Sequence, residues 1–287
     1  PIAGALVDRW DRRKAMLFSD SGAALCTLTI FILLSRDALQ IWHIYLILML
    51  SAIFAAFQWP AYSAAMTLLI PKKQLGRANG MVQIAEGIAQ ILAPVTAGIL
   101  VQVILLQGVI LIDIVTFLFA LATLLIVRVP KPEKTLEGQA GRGKLLKEAV
   151  YGWQYIWARP GLFGLLMLFA ATNFLLNMGL VLFTPLILNL STPATLGILT
   201  SGAGIGVLAG SILMSVWGGP KRKTMGIFVS EIITGVAVFL VGFTTNLVFL
   251  GIGAFIAFCG TPIVNACSQV IWQRKTAPDI QGRVFSF

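Results

Sequence analysis

Long apolar runs separated by short polar connections dominate this chain, and no other feature narrows its fold as much. A run of about 18 or more apolar residues can cross the hydrocarbon core of a bilayer as an α-helix. Such runs place spans at about 15–35, 41–70, 79–101, 108–127, 161–189, 194–217, 224–243 and 246–273. Charged residues make up 11% of the chain and hydrophobic ones 58%. Soluble domains carry roughly a quarter charged residues, so the charge here is too sparse to coat water-facing domains of this length. In lipid each backbone polar group must be satisfied internally. The expected fold class is therefore all-α and integral to the membrane.

A net charge of +10 would suggest a nucleic-acid partner in a soluble protein, but its distribution excludes one. Eight spans return residues 8–14 and 274–283 to the same side. Of the 21 Lys and Arg residues, 20 lie in connections on that side, and Arg36 is alone on the other. Basic loops mark the cytoplasmic face. The basicity is topological, and the chain is expected in the plasma membrane as a multi-pass protein with its basic loops in the cytoplasm. Cys26, Cys259 and Cys267 fall inside spans without metal-ligand spacing and read as small buried thiols. His43, at a span edge, reads as a polar anchor. Neither a metal site nor a bound cofactor is expected.

The chain also repeats itself. "RRKAM" (12–16) is echoed by "KRKTM" (221–225), "PAYSAA" from Pro60 by "PIVNAC" from Pro262, and "PKKQLGR" (71–77) by "APDIQGR" (277–283). The order is kept at offsets of about 202 to 209 residues, which implies two halves of one layout, a plan used by secondary transporters. The copies are cut at different phases: the first opens on "PIAGALV", the tail of a span, and the second closes on "GRVFSF", where another should begin. We therefore expect a fragment with about eight complete spans of twelve, lacking roughly two at each end. The expected division is an N-terminal transmembrane half (1–127), a cytoplasmic linker (128–160) and a C-terminal transmembrane half (161–287). In the linker, Leu146, Val150, Trp153 and Trp157 share one helical face flanked by Lys144 and Lys147, the pattern of an amphipathic helix on the anionic inner leaflet.

One loop is chemically specific. In "GALVDRWDRRKAM" six of the seven residues from Asp8 to Lys14 are charged. Gly4, Asp8, Arg9, Arg12, Arg13 and Lys14 match the signature G-x-x-x-D-R-x-G-R-R/K-R/K of the major facilitator superfamily, with Asp11 where the pattern has Gly. With "GRANG" (76–80) and "EAVYGWQYIWARPGL" before the seventh span, the chain resembles the macrolide-efflux and enterobactin-exporter branch of that family. The resemblance implies two pseudo-repeat six-helix halves that work by alternating access. It also implies a conformational latch: Asp8 beside a helix N-terminus, where the macrodipole favours a carboxylate, with Arg9, Arg12 and Arg13 as its network and Lys14 and Arg77 in the same group.

Span five resembles the family's antiporter motif at Ala89, Ala93, Pro94, Ala97 and Gly98, with Ala for Gly at three positions. Independently, Ala85, Ala89, Ala93 and Ala97 recur every four residues, a ladder that lets helices approach closely in lipid, and Pro94 permits a kink. "GAGIGVLAG" (202–210) is not preceded by a strand, so it does not fit a dinucleotide loop. Its Gly202, Gly206 and Gly210 lie on one helical face and are expected to pack against span five.

Ionisable groups at membrane depth default to functional hypotheses. Glu86, Asp113 and Glu231 are the coupling candidates, with Asp20 beside them as a structural group. Glu86 leads, because Gln83, Glu86 and Gln90 form a polar stripe on span five, which borders the family's cavity, whereas spans three, six and nine stand outside it. Span four contains no Arg, unlike many proton-coupled relatives, so any proton relay is built differently or lies in the missing spans. The other cavity candidates are Gln58 and Tyr62 in span four, Asn173 and Asn177 in span seven, and Thr261 and Asn265 in span ten. Few charges and many aromatics suit a lipophilic or amphipathic small molecule, exported as a drug would be, with protons as the coupling ion and the protein a monomer. Lysophospholipid or siderophore transport is the alternative within the class. A membrane-embedded enzyme would need a His/Asp, Cys/His or paired-carboxylate cluster, which this chain does not show. A helical anchor subunit would need neither the repeat nor Glu86.

Overall fold

The computed structural model describes residues 2–127, 130 and 145–286, which form helices and short connections with no strand among them. Lys144 and the rest of 131–144 lie outside the described residues. Helices α1 (Ile2–Arg9), α2 (Arg12–Ser35) and α3 (Ile41–Leu69) precede a long run, Leu75–Ile126. That run breaks at Leu105, whose φ of 58° is uncommon for a residue with a side chain. Its two rods, 75–104 and 106–126, are α4 and α5. They correspond to the spans expected at 79–101 and 108–127, joined without a polar loop. Helices α6 (Leu145–Trp157), α7 (Pro160–Leu190), α8 (Pro193–Trp217), α9 (Lys223–Val241), α10 (Leu247–Lys275) and α11 (Gln281–Phe285) complete the order. Among the described residues, 7 segments are long and apolar enough to cross a membrane, with Ile99–Ile126 counted as one.

Helix ends follow local chemistry. Asp11, the departure from the loop signature, is the N-cap of α2: its carboxylate accepts the Arg13 N–H at 3.1 Å. Thr192 caps α8, Pro193 occupies its first turn, and Gly218 closes it in the left-handed conformation at φ 76°.

The helices group into two compact units. The first comprises Pro1–Pro71, Val95–Ala158 and Lys275–Phe287, the second Lys72–Pro94 and Arg159–Arg274. This grouping cuts across the sequence halves: the start of α4 goes with second-half helices, and α11 goes with first-half helices. In the first unit, α2 and α3 pack through small residues. Ala15, Ser19, Gly22 and Cys26 line the buried side of α2, Ser19 Oγ donates to the Phe54 carbonyl at 2.7 Å, and a Cβ on Gly22 would collide with the Phe54 ring. Val7, Met16, Phe57, Ala61 and Ala65 complete the core. Lipid tails are as apolar as leucine, so association rests on this close packing. Large apolar residues such as Val103 and Phe119 stay exposed on the outer faces, which suits a lipid surround.

In the second unit, α7, α8, α9 and α10 share a core of Leu165, Met214, Ile227, Val264, Ala266 and Cys267. A second cluster joins Ile187, Leu199 and Leu250. The glycine ladder of α8 faces α10, not span five as expected. A Cβ on Gly206 would lie 2.5 Å from the Phe255 carbonyl oxygen, one on Gly210 would collide with that of Cys259, and Gly202 faces open space. Helix α4 instead approaches α8 through its own glycines: a Cβ on Gly80 would meet Ser215 N at 2.6 Å, and one on Gly87 would meet Leu208 at 3.1 Å. Gly76, Gly80 and Gly87 are buried while Ala85, Ala89 and Ala93 are exposed. Glycine permits a nearer backbone approach than alanine, so the glycine face and not the alanine ladder makes this contact. The side-chain positions of Gln90, Pro94 and Gly98 lie outside those described.

Candidate functional site

Helix α11 begins without a side-chain cap of its own, since Ile280 supplies none. Asp8, at the end of α1, fills that role from a distant part of the chain. Its Oδ1 accepts the Gly282 N–H at 2.7 Å and its Oδ2 the Arg283 N–H at 2.9 Å, the amides an N-cap aspartate would serve. Arg283 Nε lies 3.3 Å from the same Oδ2, and the Asp8 side chain is 0% exposed. The two backbones come together through a glycine on each side. A Cβ on Gly4 would collide with the Gly282 carbonyl, and one on Gly282 would sit 2.6 Å from Asp8 Oδ1. Gly4 thus belongs to the same contact as Asp8.

Burial pushes the Asp8 carboxyl up to about 7, against the lowering effect of the Arg283 and Gly282 amides and of the Arg283 and Arg12 charges. The basic residues of the loop do different things. Arg9 Nε donates to Glu148 Oε2 at 2.8 Å. Arg12 is buried and donates to the carbonyls of Ala64, at 3.1 Å, and Pro278. Arg13 donates to the carbonyls of Leu124, at 2.8 Å, and Leu125, satisfying the C-terminal end of α5. Lys14 is exposed. Arg77 belongs to the second unit, alongside Gly218.

Glu148 was not among the residues expected from sequence. It sits on α6 with a side chain 2% exposed, and its Oε2 also lies 3.8 Å from Arg283 Nη2. The face of α6 opposite it bears exposed Val150, Trp153 and Trp157, three of the residues expected to meet the leaflet. Tyr155 and Ile156 are buried, and Tyr155 Oη donates to the Lys275 carbonyl at 3.1 Å. Glu148 is the only acid in α6, and that was the available signal.

Each acid at membrane depth has a neutral hydrogen-bonding neighbour. Asp113 accepts from Thr27 Oγ1 at 3.1 Å, Glu86 accepts from Gln83 Nε2 at 3.0 Å, and Asp20 and Glu231 stand beside Gln58 and Thr172. Among the described residues, the Glu86 pair alone extends further: Gln83 Oε1 accepts from Asn265 Nδ2 at 3.4 Å, so the chain Asn265–Gln83–Glu86 links α10 to α4. Nearer the start of α4, buried Asn79 donates to Gln273 Oε1 at 2.9 Å. Asn173, Asn177 and Thr261 turn back onto carbonyls of their own helices, the usual way to satisfy such groups in lipid. Tyr62 is exposed beside Trp59, with ring centroids 6.2 Å apart. Among the described residues, His, Cys, Asp and Glu form no cluster of metal-ligand type.

The family model described as Major Facilitator Superfamily matches residues 1–287. The chain is similar to macrolide efflux protein A of Enterococcus faecalis, with 28% identity over 290 residues, which covers 100% of this chain and 89% of the relative. A protein of the same name from Streptococcus pyogenes is 28% identical over 293 residues, covering 100% and 71%. The uncharacterized MFS-type transporter YkuC of Bacillus subtilis is 23% identical over 295 residues, covering 99% and 67%.

Proposed function

Since the chain belongs to the major facilitator superfamily, and so to a class of transporters and not of enzymes, we propose that it exports lipophilic or amphipathic small molecules, macrolides among them, by proton-driven alternating access. The names of two relatives support the substrate class. The contact of Asp8 with the first amides of α11 carries the mechanism. By the sequence repeat, α1 belongs to one half and α11 to the other. Docking the two closes the cytoplasmic face, and releasing them opens it. Gly4 and Gly282 allow the approach, Arg283 neutralises the buried carboxylate, and Glu148 ties the linker helix to Arg9 and Arg283. The basic loops face the cytoplasm of a plasma-membrane protein.

Glu86 is the coupling group in this scheme. It holds an exposed carboxylate on α4, joined through Gln83 to Asn265, so a proton gained or lost there changes a hydrogen-bond chain between two helices. The test is accumulation of a labelled macrolide in cells expressing the full-length protein. Expression should lower accumulation, and a proton ionophore should restore it. Unchanged accumulation of macrolides and of a panel of lipophilic cations would overturn the export reading.

A further inference from the structure

The two units balance charge differently in the segments that carry the basic loops. In the first unit, Asp8, Asp11, Glu148 and Asp279 lie among the arginines there. In the second unit, the sequence holds Lys72, Lys73, Arg77, Arg159, Lys221, Arg222, Lys223 and Arg274, and its only acids are Glu86 and Glu231. Those two stand 11 residues into α4 and 8 residues into α9, about 16 Å and 12 Å along their helices at 1.5 Å per residue.

Several of these cations converge. Lys223 Nζ donates to the Gly218 carbonyl at 2.5 Å and would lie 3.1 Å from a Cβ on Gly76. Arg274 Nη2 donates to the Lys72 carbonyl at 2.5 Å. Arg77 runs past Gly218, whose added Cβ would meet it at 3.1 Å. Helices α4 and α9 both start here without an acidic residue in their first turn, and the N-cap of α9, Arg222, supplies no side-chain hydrogen bond. Two positive helix ends therefore add to the cationic side chains. Next to the basic run, the outer surface is apolar: Val216, Trp217, Met225 and Phe228 are 70%, 55%, 60% and 57% exposed. Basic side chains next to an exposed apolar surface match the two parts of a phospholipid.

We propose that Lys221, Arg222 and Lys223, with Lys72 and Arg274, hold the phosphate of an anionic phospholipid whose acyl chains lie along Trp217, Met225 and Phe228. A soluble phosphate would use the cations alone and leave the apolar surface bare. A lipid uses both. The site does not rest on the transport reading and shares no residue with the Asp8 contact.

The experiment is titration of the full-length protein with phosphatidylglycerol or phosphatidylcholine in detergent, followed by native mass spectrometry. Lys221 and Arg222 are exposed, so Lys221→Gln/Arg222→Gln removes charge without disturbing packing. At about 1 kcal/mol per basic residue, it should weaken phosphatidylglycerol binding roughly 30-fold and leave phosphatidylcholine unchanged. Lys14→Gln/Arg36→Gln, also at exposed positions, should stay within about twofold of the parent, since each would contribute little to this cluster. Equal losses in the two double variants would mean a general basic belt and overturn the site. Displacement of phosphatidylglycerol by inorganic phosphate at equal concentration would assign a free anion and overturn the lipid.

Discussion

At Asp8, burial and hydrogen bonding act in opposite directions, and burial is the larger effect, so the carboxyl titrates near 7 instead of its ordinary 3.8. Below about 3.8, docked and released forms are both protonated. Between about 4 and 7 the docked form holds the proton more tightly, so acidification through this window favours docking, and above 7 docking is weakest. Amide exchange of Gly282 and Arg283, corrected for its intrinsic pH dependence, should therefore quicken from pH 5 to pH 8. In Asp8→Asn it should not depend on pH. Protection that grows with pH would contradict this assignment. Glycines give a second prediction at the same scale. Gly210→Ala should lower the melting temperature in detergent, because its Cβ meets the α10 backbone and overpacking costs about 1–3 kcal/mol. Gly202→Ala faces open space and should be neutral or stabilising by up to roughly 1 kcal/mol.

Among the elements, α6 is the one whose role changed most. Its tryptophan face was legible from helical spacing, but the buried face opposite was not. Arg9 and Glu148 are 139 positions apart, and no local pattern announces such a pairing. The pair is also asymmetric, with side-chain exposure of 40% for Arg9 and 2% for Glu148. Arg9→Ala removes a solvent-screened partner and leaves Glu148 beside Arg283, so it should have the smaller effect. Glu148→Ala takes a buried charged partner from both Arg9 and Arg283, which keeps Asp8, and should cost roughly 1.5–3 kcal/mol. Proteolysis and amide exchange across 145–157 should show release of α6 in the second variant only; equal release in both would argue against Glu148 as the anchor. The spans themselves were legible because lipid demands long apolar runs. The break at Leu105 falls in the connection expected between 101 and 108, but the turning residue itself was not legible, because neither Gly nor Pro stands there.

On the scale of the whole molecule, the charged loop identified Gly4 and Asp8, but their partners Gly282 and Arg283 were visible only as an echo of "GR" in the repeat. A contact across 275 positions is set by the fold and leaves no spacing to read. Glu86 was legible as a costly charge in a span, and its link through Gln83 to Asn265 came from tertiary packing. Proton-driven export is the central claim and depends on that carboxylate. The most direct test is macrolide uptake into proteoliposomes of the full-length protein, by molecules whose cytoplasmic face points outward, with the interior acidic or at equal pH. We predict uptake that follows the gradient, collapses with a proton ionophore and is lost in Glu86→Gln. The same rate with and without the gradient would contradict the claim.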